Sequence, residues 1–152
     1  MVTMQQIRAI LDSDEPDYAL AAQLGPDALP HIETIIKGVD PMLASKAAYL
    51  AGLIQDNRST AVLKIAAKSK YPEVRIAAAA GAGHLATQAA SDVLLVLLED
   101  QDLGVRKIAL KSVPSDAPLA LRKKIESLVT KDPENFVRSL SADVLSRLHV
   151  SP

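Results

Sequence analysis

The 152-residue chain contains no cysteine and no tryptophan, and only one phenylalanine and three tyrosines. Without cysteine, neither a disulfide framework nor thiolate chemistry is available. Few aromatics leave few platforms on which nucleic-acid bases could stack. No apolar run approaches the roughly eighteen residues of a membrane span, so no membrane contact is expected. Residues 1–11 lack a basic start followed by a long apolar core, so no secretory signal is read and a cytoplasmic location is expected. An overall charge of one sign is missing too. Seventeen Lys/Arg face eighteen Asp/Glu, and a net charge of −1 creates no field that would draw in nucleic acid. The balance is uneven along the chain: residues 1–60 carry four basic and eight acidic side chains, residues 61–152 thirteen and ten. No strand precedes a Gly-rich loop, so no phosphate-binding loop is read.

What is present is a repeat. Leu43, Val74, Val105 and Val137 are its anchors, spaced by 31, 31 and 32 residues. Four residues after each anchor come Ala47, Ala78, Ala109 and Ser141. At offsets of seven and eight stand Leu50/Ala51, Gly81/Ala82, Ser112/Val113 and Val144/Leu145, and at eleven Ile54, Leu85, Asp116 and Leu148. Offsets of 0, 4, 7, 8 and 11 mark one stripe of an α-helix. Pro114 cuts the third copy short. Pro41, Pro72 and, two residues displaced, Pro133 precede the anchors, as proline does at the first helical position. Asp40 and Asp132 stand where they would cap the helix that follows. Arg75, Arg106 and Arg138 follow their anchors directly, whereas the first copy has Ala44 there.

Upstream of each copy lies another apolar helix, carried by Ile32, Ile35 and Ile36; Leu63, Ala66 and Ala67; Leu94, Leu97 and Leu98; and Ile125, Leu128 and Val129. Ser59 is a candidate N-cap for the second of these. The run Val93 to Leu98 is apolar on all sides, so that helix is expected to be buried, with Leu95 its one exposed residue. A helix pair of this kind cannot bury both apolar faces alone, so the pairs must stack. The fold expected is all-α, a right-handed α-α superhelix of about five helical hairpins in one domain spanning 1–152. Residues 1–26 form an N-terminal capping hairpin, and the repeats occupy 27–56, 59–86, 88–114 and 117–149.

The pattern resembles the short bacterial HEAT-like repeat family, the repeat type also found in phycobilin lyase subunits. The resemblance is carried by Asp40-Pro41, by Pro72-Glu73-Val74-Arg75 with Ala78, by Asp102 with Val105-Arg106 and Ala109, and by Asp132-Pro133 with Val137-Arg138. It covers roughly residues 15–149 and implies an α-solenoid whose second helices line a concave face. It also implies that each arginine meets an acid of a neighbouring turn: Arg75 with Asp40 or Asp102, and Arg106 with Asp132. HEAT-like hydroxylases hold iron with His-Glu dipeptides, which this chain lacks. HEAT-like DNA glycosylases rely on concave aromatics and a basic track, which it also lacks.

No catalytic cluster is legible. His31, His84 and His149 belong to three different repeats and have no helically spaced ligand partner, so neither metal nor cofactor is expected. Gly81 and Gly83 inside a helical pattern indicate close helix contact. If the stripe above is buried, the concave face presents Ser45, Tyr49 and Leu53; Ile76, Ala80 and His84; Lys107 and Lys111; and Ser139, Asp143 and Arg147. Tyr49, Leu53 and Ile76 would form an apolar patch beside two lysines, the composition of a protein contact. The expected function is a non-enzymatic scaffold or adaptor that binds another protein or a peptide segment in this groove, with no small-molecule substrate. The alternative is a subunit of an enzyme such as a bilin lyase, or a HEAT-like nucleic-acid-binding protein using Lys107, Lys111, Arg122, Lys123 and Lys124.

Overall fold

The computed structural model describes residues 1–149. Ten α-helices follow one another in this region, with no strand among the described residues. They are α1 (Met4–Leu11), α2 (Tyr18–Ala22), α3 (Leu29–Ile36), α4 (Pro41–Leu53), α5 (Ser59–Ala66), α6 (Pro72–Ala82), α7 (Thr87–Leu97), α8 (Leu103–Lys111), α9 (Leu119–Lys131) and α10 (Asn135–Arg147). A single 3-10 turn, Pro26–Ala28, leads into α3. Odd-numbered helices make one layer and even-numbered helices the other, each pair packed on the next as an α-solenoid. The helices α1 and α2 lie against α3 and α4 through Ile7, Leu11 and Ala21, all fully buried.

The anchor stripe forms the core between the layers. Val74, Val105 and Val137 are completely buried and Leu43 nearly so. Ala47, Ala78 and Ala109 lie under them without any exposure, so only the small side chain at offset four lets the layers close. The third copy ends as its proline requires: α8 stops at Lys111, and Asp116 stands exposed, where it accepts a hydrogen bond from the Thr87 hydroxyl at 3.0 Å.

The two layers are unequally spaced. Helix α4 runs along α6 over most of its length, far more intimately than α3 along α5. The contact is made by glycine: a Cβ on Gly52 would sit 2.2 Å from the Gly81 carbonyl oxygen. On Gly81 it would come within 3.1 Å of the Ala48 oxygen, so here backbone packs on backbone. The closer contact of α4 with α6 than of α3 with α5 agrees with the even-numbered row being the inner one, the side that the HEAT-like resemblance gives to second helices.

Cap chemistry departs from expectation at two places. Asp40 does cap α4, accepting the Met42 and Leu43 amides at 3.1 Å, and Asp102 caps α8 through the Val105 amide. Asp132 does not cap: α10 begins at Asn135 after Glu134, and the Asp132 carboxylate turns away to an arginine. Ser59 is the first residue of α5 rather than its cap, and its hydroxyl donates to the Ile54 carbonyl at 2.8 Å. In α7 the exposed residue is Val96, while Leu95 is half-buried. Helix period places Val96 on the outer surface, one step beyond the residue that sequence reading selects.

Candidate partner-binding surface

The repeats are tied by arginines at one edge of the stack. The Arg75 guanidinium grips Asp100 in a two-pronged pair, Nε to Oδ2 at 2.8 Å and Nη2 to Oδ1 at 3.2 Å. Its remaining nitrogen, Nη1, donates to the Ser69 carbonyl at 2.9 Å. Arg106 repeats the arrangement with Asp132, at 2.9 and 3.2 Å, and with the Asp100 carbonyl at 2.9 Å. Both pairs are largely buried, the Asp132 side chain to within 2 % of completely. The partner of Arg75 is therefore Asp100, not Asp40 or Asp102. Those two aspartates spend their carboxylates on helix caps, and the acid that reaches the arginine stands two residues earlier, in the turn. Arg138 reaches the Asp132 carbonyl and the Asn135 side-chain oxygen.

On the inner face, α2, α4 and the turn just after α6 bring three rings together. Tyr18 and Tyr49 meet edge to face with centroids 5.0 Å apart, and Tyr49 and His84 likewise at 5.6 Å. The Tyr49 hydroxyl and His84 Nε2 share a hydrogen bond of 3.2 Å. Burial, and secondarily the neighbouring Tyr49, hold the Tyr18 phenol above its ordinary pKa, so it stays a neutral donor. Ile76 is half-buried and lies beneath the start of α8, where a Cβ on Gly104 would come within 3.3 Å of its Cδ1. Lys107 places its ammonium 5.5 Å from the centre of the Phe136 ring, a cation–π contact across α8 and α10.

The expected surface residues therefore fall into groups. Tyr49 and His84 are joined directly, and Ile76 and Lys107 lie on the two following helices. Ser45 turns its hydroxyl back to the Pro41 carbonyl at 2.7 Å. Leu53 and Ala80 are half-buried, and Lys111 is exposed. Asp143 is exposed at the far end, where its backbone carbonyl accepts the Ser146 hydroxyl. The patch built around Tyr49 is polar at its rim, not purely apolar, because its hydroxyl is engaged by His84.

Two contributors escaped the sequence reading. Tyr18 lies upstream of the repeat register, and Phe136 sits one residue before an anchor, an offset left out of the outward set. Arg122 and Lys124, two members of the basic cluster on α9, are engaged within the fold. Arg122 donates to the His149 carbonyl at 2.6 Å, and Lys124 pairs with Glu99. Among the described residues, no three His, Cys, Asp or Glu side chains gather as a metal site requires.

The model of HEAT repeats matches residues 59–146, more than half of the chain. The chain belongs to the HEAT-repeat family. Its fold is similar to a chain in the complex of CpcE and CpcF of phycocyanin lyase from Nostoc sp. PCC7120, with a TM-score of 0.71 and 24 % identity over 93 % of this chain and 96 % of that one. No curated protein matches the chain by sequence. No helix among the described residues is long and apolar enough to cross a membrane.

Proposed function

We propose that this HEAT-repeat protein is a non-enzymatic adaptor whose inner face receives a segment of another protein. The observation that carries the reading is the ring cluster of Tyr18, Tyr49 and His84, followed on the same row of helices by Ile76 and by Lys107 over Phe136. Aromatic rings with polar tips bury much area with few rotatable bonds, which is why they recur as anchors in protein contacts. The glycine contact behind them fixes the spacing of α4 and α6, so the anchors are held in place before a partner arrives. The similar chain of known structure comes from a two-protein complex, which agrees with a protein partner.

Affinity purification with the intact chain tests this. A single protein recovered in stoichiometric amount by the natural chain, and lost from Tyr49→Asp/Ile76→Asp with unchanged helical circular dichroism, is the expected result. Equal recovery by the variant overturns the inner-face assignment.

The same likeness favours a second reading, a subunit of a bilin lyase, in which the bound partner belongs to an enzyme complex. A tetrapyrrole absorbance band co-purifying with the chain and its partner would select that reading. Nucleic-acid binding is the weakest of the three, since Arg122 and Lys124 are committed to internal contacts.

A further inference from the structure

The arginine–aspartate ladder has one rung missing, and the gap has its own chemistry. In register, Arg75, Ser69 and Asp100 correspond 31 residues earlier to Ala44, Gly38 and Ser69. Neither the cation nor its acid is present there. Arginine at position 44 would place its guanidinium between the Gly38 carbonyl and Ser69, as Arg75 does between the Ser69 carbonyl and Asp100. A cavity of about 400 Å³ opens at this point, between the turns after α3 and α5, with both Gly38 and Ser69 in its wall. That is within the roughly 300–1,000 Å³ of small-ligand sites.

The wall is built of opposites. Ile36 and Ile65 form an apolar floor, and Lys37, Lys68 and Lys70 surround it with no aspartate or glutamate among the described lining residues. Lys37 is shared with Glu33 at 3.3 Å, whereas Lys70 lies 5.2 Å over the Tyr71 ring, a weak contact that leaves its donors free. The Ser69 hydroxyl accepts the Tyr71 amide at 3.2 Å, and among the described residues it donates to no acceptor. A guanidinium is repelled from such a place, and a compact anion is attracted.

We infer that the missing rung is a binding site for a small organic anion, with its phosphate or carboxylate head among Lys37, Lys68 and Lys70 and a short apolar body against Ile36 and Ile65. The site lies at the ladder edge and is independent of the inner-face ring cluster, so either can fail without the other.

Amide chemical-shift titration of the intact, 15N-labelled chain with phenyl phosphate tests it. Saturable shifts are expected at residues 37–38 and 68–71. Lys68→Gln/Lys70→Gln should weaken binding at least tenfold, and these exposed substitutions leave the core untouched. Ala44→Arg/Ser69→Asp, which rebuilds the rung while keeping all three lysines, should weaken it by a similar factor. Benzoate distinguishes the sources: saturation by phenyl phosphate alone assigns a phosphate monoester, and saturation by both a general anion site. Absence of saturable shifts, shifts spread across every lysine-bearing surface, or unchanged affinity in the double-glutamine variant overturns the assignment.

Discussion

The joint between α4 and α6 and the joints further along the chain solve one problem in two ways. At α4/α6 the helices meet backbone to backbone through Gly52 and Gly81, and among the described residues no ion pair crosses the edge. At α6/α8 and α8/α10 the helices touch less extensively, and Arg75–Asp100 and Arg106–Asp132 bridge the turns. Glycine contact gains dispersion over a long line but has no direction. A two-pronged arginine pair adds little net energy once desolvation is counted, yet it fixes which turn lies opposite which. The joint absence of an arginine at Ala44 and of its acid at Ser69 accords with the same energetics. Keeping one member of a buried pair leaves an uncompensated charge, whereas removing both is close to neutral.

The comparison breaks most clearly at Asp132. Asp132→Ala strands the buried Arg106 and should lower stability by about 3–5 kcal/mol in urea unfolding, whereas Arg106→Met/Asp132→Leu should recover most of the loss. A single substitution no worse than the double would mean that the rung carries no buried charge. The glycine joint should break next. Gly52→Ala forces its methyl into the Gly81 carbonyl and should cost about 3 kcal/mol, at the upper end for overpacking. Gly81→Ala meets a looser 3.1 Å contact, and the better helix propensity of alanine offsets part of it, so its cost should stay below about 1 kcal/mol. Equal costs at the two positions would remove the case for a specific backbone contact.

The smallest effect is a pH dependence at the opposite edge, where repeats are joined by neither device. Asp56 accepts the Arg58 amide at 2.8 Å and its guanidinium at 2.9 Å, and these bonds hold its carboxyl below the usual carboxylate range. A depressed folded-state pKa gives stability that is present above the unfolded value of about 3.9 and lost as pH falls through the lower folded value. The thermal-stability gap between the natural chain and Asp56→Asn should therefore narrow on acidification from about pH 6 to about pH 2. Because the partner guanidinium of Arg58 is solvent-exposed, the gap should be small throughout. A constant gap would show that the titration is not the source.

Most of the fold was legible because burial follows a simple period. Val74, Val105 and Val137 recur at nearly constant steps, and their burial needs only helical geometry. The close contact at Gly81 was legible for a similar reason, since glycine inside a helix has few other uses. The partner of Arg75 was not legible. Asp40, Asp102 and Asp100 lie within two residues of one register position, and which one reaches the guanidinium depends on the turn, not on the period. The ring cluster was half legible: Tyr49 follows from phase within α4, and His84 from the same phase carried two residues past the end of α6. Tyr18 does not, because the short α2 stands outside the repeat and its direction is set by packing on α4. Phe136 was missed because the outward set began two residues after each anchor and ignored the residue before it.

Ser69 also bears on how such arrays change. At the equivalent turns, Asp100 and Asp132 each receive an amide two residues on, at 2.9 Å, as well as an arginine. Ser69 keeps the amide and drops the salt link, so shaping the bend and clamping the neighbour are separable duties of one site. A lineage could therefore loosen a clamp, open a crevice there and later restore it, with the helices on either side undisturbed at every step.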